Sequence, residues 1–253
     1  MSPGRVIAHR GGASLAPENA RAALAASAAV GVRWVEVDVR LLGDGTPVLF
    51  HDRELERCTD LRGPLSALNA DMIEGVDAGG WFSPRFRGEP IPRLDAVLAD
   101  CARFGLGVNL ELEREPEEPQ DRVVRAVAGV LAASGAGRTA VLLSSFDEAV
   151  VAACRDLAPA WARATLQRRL PRDIGLRCQR YGAAAVVCDW RRLPGPAPPG
   201  SRTMACRCTA IRSTTRPPSA TAGAGRRRCH HRSAPGFPGL AGMTQTLTSS
   251  RSW

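Results

Sequence analysis

Short apolar runs with strand character alternate with longer helix-forming runs from residue 6 to about residue 188, and then the alternation stops. That pattern limits the fold more than any other feature, because strands joined by helical crossovers lie parallel in one sheet. Strands are expected at 6–8, 34–38, 107–112, 140–143, 162–166 and 183–188, with helices at 17–30, 94–104, 120–133 and 146–156. One connection differs. Gly43-Asp44-Gly45 is too short for a crossover, so the chain should return through Pro47 to His51 as a hairpin. With the turn centred between Asp44 and Gly45, paired positions sum to about 89 and Asp38 is expected opposite His51. Residues 60–91 are loop-rich, with Gly79-Gly80-Trp81-Phe82-Ser83-Pro84, and read as an insertion. Leaving out the hairpin return, six βα units precede residue 200. A closed α/β barrel takes eight in about 250 residues, and this chain has 253.

The apolar strands carry unusual charges. Glu36 and Asp38 are two apart, so both side chains face one side of the sheet. Two carboxylates inside a sheet are costly unless a cation or protons compensate. Glu111 ends a further strand, and three carboxylates at strand ends suit a hard, oxygen-loving divalent ion, Mg²⁺ or Ca²⁺. Taken alone, they read equally well as surface or salt-bridged acids. His9 and His51 each follow an apolar strand. Beside a metal, such a pair suits a general acid and a general base. Arg10 is placed to grip a phosphate with its two-pronged guanidinium.

At these residues the chain resembles the glycerophosphodiester phosphodiesterase family. The resemblance runs through AHRGGASLAPENA, VEVDVRLLGDGTPVLFHD, GGWFSPRFRGEPIPRLDAVL, VNLELE and VLLSSFD, and continues more weakly to Asp189-Trp190. It implies a TIM-type (β/α)8 barrel with the site at the C-terminal ends of the strands. It also implies His9 and His51 as the acid/base pair, Arg10 on the substrate phosphate, and Glu36, Asp38 and Glu111 as ligands of the divalent metal. The implied reaction splits a small-molecule glycerophosphodiester, such as glycerophosphocholine, into glycerol 3-phosphate and an alcohol. One departure stands out: the family usually has Lys two residues after the third carboxylate, where this chain has Glu113. A Glu there is expected either to repel phosphate or to offer the metal another ligand.

Charge divides the chain in two. All 34 basic residues are Arg; residues 1–201 hold 25 Arg against 25 acids, whereas residues 202–253 hold nine Arg and no acid, so the net +9 belongs to the tail. Residues 194–239 are rich in Pro, Arg, Ser, Thr, Ala, Gly and Cys and poor in large aliphatics, which predicts a poorly ordered segment. The chain therefore divides into a barrel at 1–200 and a basic low-complexity tail at 201–253. The family would place two more βα units there. Synonymous codons for 203–216, read in a shifted frame, spell His-Gly-Leu-Pro-Val-His-Gly-Tyr-Thr-Val-Asn-Asp-Pro, and those for 225–233 spell Gly-Val-Asp-Gly-Ala-Ile-Thr-Asp. Both resemble the missing strands, so the tail reads as frameshifted translation. An open barrel exposes sheet edges, and impaired activity is expected of the chain as written.

Cys206, Cys208, Cys229, His230 and His231 resemble a zinc set but lack paired CxxC spacing. Arg226-Arg227-Arg228 lacks an aromatic platform for nucleic acid. Neither a nucleic-acid nor a membrane partner is expected, and no apolar run is long enough to span a bilayer. Without a signal-peptide pattern, the eight cysteines read as reduced thiols of a cytoplasmic protein. Two other classes stay open: a lipid phosphodiesterase on the same scaffold, and a non-catalytic nucleic-acid binder acting through the Arg-rich tail.

Overall fold

The computed structural model describes residues 6–135, 139–188, 207–210 and 244–245. Its strands are β1 (Ile7–Ala8), β2 (Trp34–Leu41), β3 (Pro47–Leu49), β4 (Gly107–Leu112), β5 (Val141–Ser145), β6 (Ala162–Gln167), β7 (Ala185–Cys188), β8 (Arg207–Ala210) and β9 (Thr244–Gln245). The helices are α1 (Arg21–Ala29), α2 (Leu94–Phe104), α3 (Gln120–Ala133), α4 (Glu148–Leu157) and α5 (Ile174–Tyr181). The sheet runs β1-β2-β4-β5-β6-β7-β8-β9, all parallel, with β3 antiparallel on β2. Sequential parallel strands with intervening helices make this the (β/α)8-barrel type of α/β fold. Two short strands of the tail region extend the sheet. The expectations for its other residues, the zinc-like and Arg-rich motifs included, lie outside the described residues apart from Cys208, which falls in β8.

Residue parity sorts the two faces. Val35, Val37 and Val39 of β2 with Val108, Leu110 and Leu112 of β4 are fully buried against α2 and α3, the outer layer of the core. Each such side chain contributes about 1.5–3 kcal/mol of burial. The opposite face forms an inner cluster of Ile7, Trp34, Leu142, Ala164, Leu166 and Val187. Glu36, Asp38 and Glu111 lie on that inner face, towards the C-terminal ends of their strands.

At the bottom of the inner face, the Trp34 ring lies against the backbone of Gly107; a Cβ there would come within 2.3 Å of the ring. We expect Gly107→Ala to destabilise the fold by about 1–3 kcal/mol, because neither ring nor strand can retreat from a packed interior. Urea unfolding with an unchanged m-value would show it, and an unchanged midpoint would contradict the packing account.

Two local expectations are corrected. The hairpin pairs Val39 with Leu49 and Arg40 with Val48, a sum of 88, so Asp38 faces Phe50 and not His51. The turn closes on Leu42, whose N–H donates to Thr46 O while Gly45 N–H donates to Leu42 O; its centre is Asp44, one half-step earlier than expected. The first helix begins at Arg21 rather than at Pro17, because residues 12–20 fold back and Asn19 N–H donates to Arg10 O. Between β3 and α2 the chain makes short 3-10 turns at Leu65–Ala67, Ile73–Gly75 and Pro84–Phe86 around a small core of its own, including Leu55, Leu65 and Ile73. Among the described residues no helix is long and apolar enough to cross a membrane. Cys58, Cys101 and Cys154 are buried free thiols, each pushed up to about 12 by burial and so unreactive.

Candidate active site

The site forms where β1, β2 and β4 end. His9 and Arg10 lie in a single 3-10 turn directly after β1. Arg10 has φ +50 and is followed by Gly11 and Gly12, also at positive φ. Gly12 has no alternative: a Cβ would come within 2.3 Å of Ser27 Oγ, and the turn packs against α1 through the Ser27 Oγ–H bond to Gly11 O at 2.7 Å. This left-handed turn lets the Arg10 N–H donate to Glu36 Oε2 at 2.8 Å while its side chain reaches Glu18 Oε1 at 2.6 Å and stands 3.4 Å from Asp38 Oδ2.

Glu36, Asp38 and Glu111 converge, one carboxylate oxygen of each lying within 4.8 Å of the others. The register explains the meeting, since Asp38 and Glu111 are paired partners on adjacent parallel strands. Asn19 locks Asp38 reciprocally: its Nδ2 donates to Asp38 Oδ2 at 2.8 Å, and Asp38 N–H donates to Asn19 Oδ1 at 3.1 Å. Burial pushes Glu36 well above the usual carboxylate range, and the charges of Asp38 and Glu111 push it further. Glu111 is raised likewise, by burial first and then by Asp38 and Glu113. Glu36 Oε1 is buried and has no hydrogen-bond partner. Three carboxylates offset only by Arg10 and, at Glu111, by Arg40, with an unpartnered carboxyl oxygen among them, fit a hard divalent cation.

The histidines differ. Burial lowers His9 to about 4, with Arg10 adding to the effect, so the imidazole is neutral at physiological pH; its Nε2 stands 3.9 Å from Glu36 Oε2. His51 is more open, its side chain 38% exposed against 16% for His9, and its Nδ1 meets Asp52 Oδ1 at 2.5 Å. Burial would raise Asp52, but its bonds to His51 and Arg57 outweigh that and hold it well below the usual range. An Nδ1–H donated to Asp52 leaves Nε2 free to exchange protons with a substrate. We expect Asp52→Asn to lower kcat by on the order of tenfold to a hundredfold while KM stays within a few-fold, because the amide no longer dictates the tautomer. Steady-state kinetics check this; an unchanged kcat would remove Asp52 from the machinery.

The structure brings His9, Arg10, Glu36, Asp38 and Glu111 together, and His51 follows Phe50, whose N–H donates to the Asp38 carbonyl. Glu113 accepts a bond from Arg40 Nη2 at 3.2 Å, Arg40 also bonding Glu115 and the His51 carbonyl; it is not one of the three converging carboxylates, although its charge still raises Glu111. Sequence reasoning assigns no role to Glu18, Asn19, Asp52 and Arg57, although the first three lie inside the segments that carry the resemblance. Neighbourhood to His9 and His51 was the one signal pointing to them.

Residues 9–190 match the model of the Glycerophosphoryl diester phosphodiesterase family. Glycerophosphodiester phosphodiesterase of Caldanaerobacter subterraneus is 36% identical over 108 residues, 43% of this chain and 44% of that protein. Human glycerophosphodiester phosphodiesterase 1 is 37% identical over 109 residues, 42% of this chain and 33% of that protein. The chain therefore spans less than half the length of these curated relatives. Among solved structures, an Oleispira antarctica phosphodiesterase in complex with its product sn-glycerol-3-phosphate superposes with a TM-score of 0.74 at 29% identity, covering 81% of this chain and 83% of that one.

Proposed function

The chain belongs to the glycerophosphoryl diester phosphodiesterase family, and on that premise we propose that it hydrolyses small glycerophosphodiesters to glycerol 3-phosphate and an alcohol in a divalent-metal-dependent reaction. The observation that carries this reading is the convergence of Glu36, Asp38 and Glu111 beside a neutral His9 and an Arg10 side chain. A Mg²⁺ or Ca²⁺ ion held by the three carboxylates would supply charge that polarises a phosphoryl oxygen. Arg10, already turned into the site by its left-handed backbone, binds a second phosphoryl oxygen. His9, neutral and buried, takes the proton of the attacking group. His51, held at Nδ1 by Asp52 and open to solvent, first takes up a proton at Nε2, its charge then offset by Asp52, and gives that proton to the departing alkoxide.

The functional unit in this reading is 1–200, with the insertion at 60–91 beside the mouth and the basic segment 201–253 appended without a nucleic-acid role. The substrate is a small molecule, the compartment a reducing cytoplasm, and the thiols take no part. Incubation with glycerophosphocholine and Mg²⁺ tests the proposal: release of glycerol 3-phosphate, abolished by chelation and restored by Mg²⁺ or Ca²⁺, is the expected result. Purified, folded protein that releases none with either ion would overturn it.

A further inference from the structure

Arg57 is absent from every role assigned above, yet its guanidinium holds two carboxylates at once. Nε and Nη2 both donate to Asp52, the second at 3.0 Å. Nη1 donates to Glu18 Oε2 at 3.0 Å, and Nη2 also donates to Glu18 Oε1 at 2.7 Å. Each carboxylate is itself the support of a site residue. Asp52 holds His51 Nδ1, and Glu18 Oε1 accepts in addition from Arg10 Nη1 at 2.6 Å. An unbroken chain of charged contacts therefore runs His51–Asp52–Arg57–Glu18–Arg10, tying the loop after β3 to the loop after β1 across the mouth.

We propose that Arg57 is a positioning residue that sets the spacing between the His51 imidazole and the Arg10 guanidinium by clamping Asp52 and Glu18 in one planar fork. The clamp joins segments that no strand pairing connects. Glu18 lies in the turns before α1, and Asp52 and Arg57 lie beyond β3. Its strength as an ion pair is modest, because the Arg57 side chain is 44% exposed. Its effect is geometric: two bidentate grips fix direction as well as distance, which a point-like ammonium cannot reproduce. The inference rests on the diesterase reading for its kinetic consequence, but the His51 tautomer it sets is measurable without turnover.

The test compares wild type, Arg57→Met, Arg57→Lys and the double variant Asp52→Asn/Arg57→Met, with glycerophosphocholine and Mg²⁺. Arg57→Met is expected to lower kcat on the order of tenfold to a hundredfold with KM within a few-fold, and Arg57→Lys to restore little of it. The double variant should lose less than the product of the two single losses, since both changes act through the same imidazole while Arg57 also holds Glu18. Nitrogen NMR of the His51 ring should show one Nδ1–H tautomer in the wild type and a mixture in Arg57→Met. A wild-type tautomer in Arg57→Met, full recovery with lysine, or losses that multiply in the double variant would overturn the proposal. If the wild type shows no turnover yet the tautomer responds as expected, the diesterase reading falls and the positioning role stands.

Discussion

Glu36→Gln is expected to lower turnover by about a thousandfold, equivalent to about 4 kcal/mol of transition-state stabilisation, and at the same time to raise the melting temperature of the metal-free protein. The two effects share one cause. Glu36 is fully buried, its Oε1 is unpartnered, and it shares its surroundings with Asp38 and Glu111. A neutral amide of the same shape relieves the repulsion by about 1–3 kcal/mol but no longer serves as an anionic ligand. The pH dependence follows in sign. Glu36 and Glu111 hold their protons to higher pH in the folded state than in the unfolded chain. Above the ordinary carboxylate range the folded state therefore binds more protons, and metal-free stability falls as pH rises towards neutrality. Thermal melts in chelator from pH 5 to 8 should slope downward for the wild type and less so for Glu36→Gln. Saturating Mg²⁺ should recover the wild type at pH 7.5 and leave the variant nearly unmoved. Wild-type turnover in Glu36→Gln, or a lower metal-free melting temperature, would contradict this account.

The two histidines should separate by leaving group. His9→Gln and His51→Gln are each expected to lower kcat on glycerophosphocholine by about a hundredfold to ten-thousandfold. A p-nitrophenyl phosphodiester leaves as a stabilised anion and needs no proton, so His51→Gln should recover most of its loss on that substrate. His9→Gln should stay slow on both, because its part concerns the attacking group. Melting curves close to wild type would accompany both variants. The reverse pattern would exchange the two roles, and equal losses on both substrates in both variants would remove the acid/base division.

Much of this was legible in the chain. The expected bounds of α2, α3 and β4 are those observed: α2 ends at Gly105 in the left-handed conformation, and β4 alternates apolar and polar side chains in a strand that is buried throughout. The facing of Glu36 and Asp38 followed from parity alone. What failed was set by contacts distant in sequence. The start of α1 is displaced because residues 12–20 serve the Arg10 turn before they serve the helix. The hairpin register missed by one because it depends on which residue closes the turn. The Glu18–Arg57 clamp spans 39 positions without any periodic trace. The Arg40 partner of Glu113 carries a partial signal, since Arg40 follows Asp38 by two and so lies on the same face of β2.

The strands of the sheet follow one another in chain order, and every site side chain, from His9 to Glu111, precedes β5. On a ribosome the whole reaction centre therefore emerges before the strands that enclose its far side have been made. A chain made only that far already carries all three carboxylates, with Arg10 and Arg40 as the guanidinium groups that offset them. A divalent ion taken up then would act as a folding partner of the nascent chain as well as a catalyst of the finished one.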